Sequence, residues 1–477
     1  MKHHSKTRLL PLRDAIAAVL PLLLVVTSHA DEVRWAARTD VGSPEARAGH
    51  VMAYDSDRGI TVLFGGHRFD EDLDLVYFND TWEYNGNSWQ RVTIDGPVPL
   101  WRTQSAMCYD SVRREMVLVA GFNGDEDEDD GFLKDTWVYR PAAAGHGVWT
   151  RKADIAHIFI DRPARAGHAM VFDSKRGVAV LMGGTDGENP YVDAPDYFRN
   201  SEVIEWNGES WYWRDQLFGL QDQGDPLSWY DGPTGHAMVF DSDEGIISIS
   251  GGGYYYHLQI QGDIEWRDYD WAHFVPINRR NAPDDWNFYR TPFYLKPFGP
   301  VEIGRRQGHA SVYDIHRKRI VIFGGHTPGE DTLPTEDPGG RLDEVEFASN
   351  PDGSGGYQGN RLYIPTPPVR KLHAMVYDSR RQRTVLFGGS RNLTSLYNDT
   401  WEYGEGVVPY LYVDAANAGP QDGSLNSPFK TARQAIDAAA AQGLTVISVR
   451  AGSYPEGPFT SNKPVRIESR NGPVTIH

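Results

Sequence analysis

One pattern, written six times along this chain, constrains its fold more than any other feature. The fullest copy opens with Arg47-Ala48-Gly49-His50 and passes through Tyr54-Asp55-Ser56. It reaches an apolar run ending in a glycine pair, Val62-Leu63-Phe64-Gly65-Gly66. After a variable loop come Asn79-Asp80-Thr81-Trp82-Glu83-Tyr84 and then Trp89. The Gly-His position returns at Gly167-His168, Gly235-His236, Gly308-His309 and Leu372-His373, with Gln104-Ser105 in the second copy. The aromatic-Asp pair returns at Tyr109-Asp110, Phe172-Asp173, Phe240-Asp241, Tyr313-Asp314 and Tyr377-Asp378. The glycine pair returns at 183–184, 251–252, 324–325 and 388–389, with Ala120-Gly121 in the second copy. The later aromatic stretch falls at 135–137, 202–206, 263–266, 343–347 and 399–403.

Each copy reads as four strands. The first runs from the His to the aromatic. The second is a continuous apolar run, as expected of a strand buried on both faces. The third carries the Asp-Thr-Trp-Glu-Tyr element, and the fourth starts at the later Trp. Asp-Ser-x-x-Gly and Asn85-Gly86-Asn87 supply tight hairpin turns. Such a unit cannot bury both of its faces alone, whereas a radial array of them can. The sixth copy has no Trp for its fourth strand, but Trp35 of Val33-Arg34-Trp35 lies twelve residues before Arg47, where Trp89 lies thirteen before Arg102 and Trp149 sixteen before Arg165. The N-terminal segment is therefore expected to complete the sixth unit and close the array.

These residues resemble the kelch repeat, and more loosely the central domain of galactose oxidase, over about residues 31–406. The resemblance implies an all-β fold, a six-bladed kelch-type β-propeller with N-terminal strand closure, whose ligand loops follow the glycine pair. The copper-radical activity of galactose oxidase is not expected here. Cys108, the only cysteine, sits in a strand motif and reads as a small buried hydrophobe.

From residue 407 the pattern changes. Tyr412-Val413-Asp414 leads to Asn426-Ser427-Pro428-Phe429, an Ala-rich helix over 429–442, a strand over 445–449, Gly452-Ser453-Tyr454-Pro455-Glu456, and two strands at 464–469 and 473–476. This order resembles the opening of pectin-lyase-like parallel β-helix proteins, so 407–477 is expected to be the N-terminal part of a domain of that kind. The coils that carry catalytic residues in that class are absent from the sequence.

Residues 1–30 read as a signal peptide. They contain basic Lys2, Lys6, Arg8 and Arg13, an apolar core over 15–26 too short to span a bilayer, and the cleavage motif Ser28-His29-Ala30. The expected location is secreted, periplasmic or cell-surface, with no membrane insertion after cleavage. A net charge of −18 disfavours nucleic acid, which needs clustered Lys and Arg. The acidic run 125–130 offers oxygen ligands for Ca2+ but lacks EF-hand spacing and reads as a solvated loop. No cofactor or metal is expected. The repeated histidines 50, 168, 236, 309 and 373 would lie on a circle too wide for one ion at ~2 Å bonds and read as structural.

In an up-and-down unit, the 2–3 loop and the 4–1 connection share one face. Length variation gathers there, as it does where ligands bind. The residues after each glycine pair would line it: His67, Arg68, Asn123, Thr185, Asp186, Tyr254, His326, Ser390 and Arg391. A long connection after Trp271 would add Trp286, Tyr289, Arg290 and Tyr294, as ligand contacts or as packing for the insertion. The expected function is binding of a glycan or protein ligand on that face. The alternative is a carbohydrate-active enzyme: a sugar isomerase, or a polysaccharide lyase or hydrolase acting through the β-helix. The sequence shows no catalytic nucleophile-base motif.

Overall fold

The computed structural model describes residues 33–38, 42–124, 131–156, 163–185, 202–216, 234–258, 306–326, 364–405 and 410–476, with short breaks inside them. It also describes strands at 228–230, 264–268, 275–278, 287–288, 342–349 and 355–362. The leader and the acidic run 125–130 lie outside the described residues.

The chain is all-β, and each copy of the repeat makes one four-stranded antiparallel core. The first sheet joins Val51–Asp55, Ile60–Phe64, Thr81–Tyr84 and Trp89–Arg91. The second joins Ala106–Asp110, Glu115–Phe122, Phe132–Pro141 and His146–Arg151, with Thr93–Ile94 as a fifth, parallel edge strand. The third, fourth and fifth sheets begin at Ala169–Asp173, Ala237–Asp241 and Ala310–Asp314. The sixth joins Ala374–Asp378, Arg383–Phe387 and Thr400–Glu405 to the N-terminal strand Val33–Arg38, which sets Trp35 opposite Tyr403.

The second strand of each unit carries the core. Val62, Leu63 and Phe64 are buried, as are Leu118, Val180, Leu181, Val321 and Leu386, because adjacent sheets cover both of their faces. Apolar clusters join first sheet to second, second to third, third to fourth and fifth to sixth. The cluster of Met52, Leu63, Tyr84 and Trp89 with Val376, Val385 and Phe387 joins the sixth back to the first. Fourth and fifth meet through polar contacts, Ser250 Oγ lying 2.9 Å from His309 Nε2.

The Arg that opens a repeat fixes its glycine pair. Arg47, Arg102, Arg165 and Arg370 are buried, and each donates to the carbonyl eighteen residues on (Gly65, Ala120, Gly183 and Gly388). Arg47, Arg102 and Arg370 also fork onto Asp80, Asp135 and Asp399, and Arg165 donates to Glu202. Those three aspartates accept the indole N–H of the Trp two residues later, which accounts for the Asp-Thr-Trp spelling. The Trp of the fourth strand donates to the Thr of the preceding sheet: Trp89 to Thr400, Trp149 to Thr81 and Trp211 to Thr136.

The fourth unit departs from expectation. Its third strand is Val275–Asn278, paired with Ile246–Ser250, and not the stretch at 263–266. Ile264–Asp268 instead pairs with Gly253–Leu258, which also takes Ser228–Tyr230, in a separate three-stranded sheet. An insertion with its own hairpin therefore occupies the 2–3 connection, and its Trp266 imitates the repeat motif.

In the C-terminal segment, Tyr410–Val413, Thr445–Tyr454 and Val465–Ile476 form a parallel sheet. The two last strands expected at 464–469 and 473–476 are one, with an irregularity between them. The helix is shorter than expected, Ala432–Ala438, because Thr431 caps it in a box with Gln434 and Ala439 leaves helical dihedrals. Glu456 accepts the Ala432 and Arg433 amides, which gives the Gly-x-Tyr-x-Glu motif its structural use.

Candidate functional site

The two ends of the six sheets are built differently. At the hairpin end, the repeated Asp holds its own turn and an Arg three residues on. Asp55 accepts Arg58, which continues to Glu83, and Asp314 accepts Arg317, which continues to Glu344. Tyrosines carry the lattice between sheets, Tyr139 donating to Glu83 and Tyr403 to Glu344. That end is occupied by its own cross-links.

At the loop end, six backbone amides close a circle of hydrogen bonds. Gly49 donates to Leu372, Leu372 to Gly308, Gly308 to Gly235, Gly235 to Gly167, Gly167 to Gln104, and Gln104 to Gly49, over 2.7–2.9 Å. All six residues have positive φ, which explains four glycines. Gln104 and Leu372 take the same conformation with a side chain, at φ 52° and 55°. At the spacing of neighbouring strands, about 4.8 Å, such a circle is roughly 10 Å across between Cα atoms. Less the radii of its own atoms, it is too narrow for a sugar ring to pass, so a ligand of that size stays on the face.

Around the circle, in five of the six copies the residue after the glycine pair forms a bridge to the residue before the ring amide: Ala48 with His67, Thr103 with Phe122, Ala166 with Thr185, Gln307 with His326, and Lys371 with Ser390. Of the expected site residues, His67, Thr185, His326 and Ser390 take part in these bridges, and they differ in what they offer. His67 is buried and shares a 2.8 Å hydrogen bond with Thr103 through Nδ1. Burial pulls its pKa down to about 4, so the ring is neutral at physiological pH. Arg68 points to the opposite side of its strand and lies 3.5 Å from Glu45. Asn123 is buried, and its carbonyl accepts the Trp101 indole N–H at 3.2 Å. His326 meets Gln307 through both ring nitrogens. Ser390 is buried, and Arg391 is exposed with its amide bonded to Ser395. Arg391 is exposed, whereas His67, Asn123 and Ser390 are buried, His67 and Ser390 within rim bridges. Tyr254 lies in Gly253–Leu258. Asp186, Trp286, Tyr289, Arg290 and Tyr294 lie outside the described residues.

His67 and Asn123 both belong to the sector of the first and second sheets: His67 bonds Thr103, and Asn123 follows Phe122, the bridge partner of Thr103. The loop after His67 folds as a hairpin, His67–Phe69 with Leu75–Tyr77, turned by Asp70, whose carboxylate accepts the amides of Asp72 and Asp74. Its register puts His67, Tyr77, Phe69 and Leu75 on one face. That face meets the second sheet: the Tyr77 ring stands 6.2 Å from Phe122, and the His67 ring 5.7 Å from Phe69. Leu73, Leu75, Val98, Leu100 and Trp101 are exposed nearby along these two loops, Trp101 at 47%. Sequence reasoning missed Phe69, Tyr77, Trp101, Thr103 and Phe122. The alternation His67-x-Phe69 and Leu75-x-Tyr77 about an acidic turn is the signal that marks the hairpin.

Among the described residues, no three His, Cys, Asp or Glu side chains converge as metal ligands would. Cys108 is buried, and burial raises its thiol pKa.

No protein-family model and no curated protein matches the chain. Among solved structures, one described as the structure of YjhT is similar at TM-score 0.41 and 12% identity, over 75% of this chain and 95% of that one. A likeness of that size has no bearing on activity.

Proposed function

We propose that residues 31–406 form a six-bladed kelch-type β-propeller, that 407–477 open a pectin-lyase-like parallel β-helix, and that the chain is a secreted or envelope-associated protein whose loop face binds a glycan. The circle of six amides and the pairing of Val33–Arg38 with Thr400–Glu405 support the propeller. The parallel order of the last three strands supports the β-helix.

The observation that carries the binding function is the sector around Trp101. Its indole is oriented by a hydrogen bond to Asn123 while nearly half its surface faces solvent, beside a rim of aromatic rings. An oriented, half-exposed tryptophan next to buried polar groups is how a binding face combines apolar contact with directional hydrogen bonds. The test is a thermal-shift screen of the mature chain against neutral and acidic oligosaccharides, with and without Ca2+. A ligand of the folded state raises the midpoint. The reading requires a shift that Trp101→Ala removes. Shifts with no sugar, together with capture of a defined protein through Trp101, would replace the glycan with a protein ligand.

A further inference from the structure

The six junctions between neighbouring sheets are not built alike. In five of them, the third and fifth residues of one sheet's second strand share an apolar cluster with the second residue of the next sheet's first strand. At the sixth–first junction these are Val385, Phe387 and Met52, and at the fifth–sixth junction Val321, Phe323 and Met375. The first–second, second–third and third–fourth junctions repeat a Val, a second apolar residue and a Met in their clusters. At the fourth–fifth junction all three places hold serine: Ser248, Ser250 and Ser311. Strand register fixes the equivalence. Ser248 lies opposite Val239 and Ser250 opposite Ala237, as Val385 lies opposite Val376 and Phe387 opposite Ala374. Ser311 lies opposite Ile322, as Met375 lies opposite Leu386.

Ser248 and Ser250 are buried, and Ser311 is half-buried. Ser250 Oγ stands 2.9 Å from His309 Nε2 and 3.1 Å from Ser311 Oγ. At the hairpin end, Tyr313 donates to Asp243 at 2.9 Å, and Lys318 Nζ lies 3.4 Å from the same carboxylate. Val239 and Ile322 keep their buried places. No apolar cluster of the kind that spans the other five junctions occurs here among the described residues. A hydrogen bond broken by parting two sheets is replaced by one to water, so its net worth is small. Apolar contact has no such replacement, and parting it returns its whole surface to water. The junction that closes on hydroxyls therefore gains least by closing.

We infer that the fourth–fifth junction is the joint at which the array of sheets opens, a conformational device set by Ser248, Ser250 and Ser311. The circle of amides crosses this junction at one link, Gly308 to the Gly235 carbonyl at 2.9 Å. A second bond, Gly252 to the Arg306 carbonyl, crosses it at 2.9 Å. Parting the joint breaks both and widens the circle. The inference rests on the order of the sheets and goes beyond the glycan-binding reading, which stands or falls separately.

Amide exchange of the mature chain measures the joint directly, because the same two bonds cross other junctions. Gly66 to Arg102, Gly325 to Arg370 and Gly389 to Arg47 match Gly252 to Arg306, and the amides of Gln104, Leu372 and Gly49 match that of Gly308. The expected result is protection of Gly252 and Gly308 at least about tenfold below that of these counterparts, because local opening sets their exchange. Thiol labelling gives a second measure. Native Cys108 belongs to the cluster of the second–third junction and serves as the internal standard. Ser248→Cys should react with a thiol reagent at least about tenfold faster than Cys108. The variant Ser248→Val/Ser250→Phe/Ser311→Met restores the common pattern and should raise protection at Gly252 and Gly308 to that of the counterparts. If this variant does not fold, the wild-type exchange and the Ser248→Cys labelling decide alone. Equal protection at all the junctions, a Ser248→Cys thiol no more reactive than Cys108, or a folded triple variant with unchanged protection overturns the inference.

Discussion

Acid should unfold this protein through its buried histidines. Each sits against glycine backbone from two sheets. A Cβ on the second glycine of the histidine's own pair would meet the His Cβ, as at Gly66 and His50. A Cβ on the first glycine of the preceding pair would meet the ring, as at Gly388 and His50 or Gly324 and His373. Burial, and then the repeat Arg beside each ring, lowers the pKa of His50 and His168 to about 3, and holds His309 and His373 well below the ordinary 6.5. The unfolded chain takes up these protons below pH 6.5 while the folded chain does not. Stability is therefore complete above that pH and falls as pH drops toward 3. At pH 5, each such histidine costs about 2 kcal/mol, or about 1.4 kcal/mol for each of roughly 1.5 pH units. His50 and His168 together reach about 4 kcal/mol, a large share of the stability of an ordinary domain, about 5–15 kcal/mol, and His309 and His373 act in the same direction. Asp80 and Asp135, whose pKa values are lowered through hydrogen bonds from Arg47 and Arg102 against the opposing cost of burial, lose stabilisation only below the carboxylate range, so the two windows separate. Denaturant unfolding at pH 7.5, 6 and 5 measures the slope. His168→Ser, which copies the natural Ser105, should shrink the loss between pH 7.5 and 5 by about 2 kcal/mol. Stability that stays flat from pH 7.5 to 5, or an unchanged slope in the variant, refutes the reasoning.

Other substitutions probe the frame. Asp135→Ala leaves the Arg102 guanidinium buried without its forked partner and should cost about 3–5 kcal/mol by denaturant unfolding. Trp35→Ala removes the buried ring of the closing strand, packed 5.0 Å from Tyr403 and 5.2 Å from Phe323, and should cost about 3–5 kcal/mol. Its indole N–H has no hydrogen-bond partner among the described residues, unlike those of Trp89, Trp149 and Trp211.

The strands were legible because burial on both faces demands continuous apolar runs, and Val62-Leu63-Phe64 and its counterparts satisfy that demand locally. The closing strand was legible by counting, since Trp35 stands twelve residues before Arg47, close to the thirteen and sixteen that separate Trp89 from Arg102 and Trp149 from Arg165. The fourth unit was misread at 263–266 because an insertion carried a Trp at a plausible distance, and pairing partners alone expose the substitution. The Arg at the head of each repeat looked like a motif letter. Its role needs an acidic partner 29 to 37 residues away, across a loop of variable length. The same holds for the site. His67 stood out by following a glycine pair, but Thr103 and Phe122 come from the next sheet, and no local pattern joins them to it.

The central claim, that the sector of the first and second sheets is a glycan-binding face, is tested most directly by following the Trp101 indole N–H resonance of the mature chain during titration with the oligosaccharide that gives the largest thermal shift. The account predicts a saturable change at Trp101 with the affinity found by calorimetry, lost in Trp101→Ala without loss of fold. Saturation that leaves Trp101 unmoved, with undiminished binding in the variant, would contradict it and put the ligand elsewhere on the molecule.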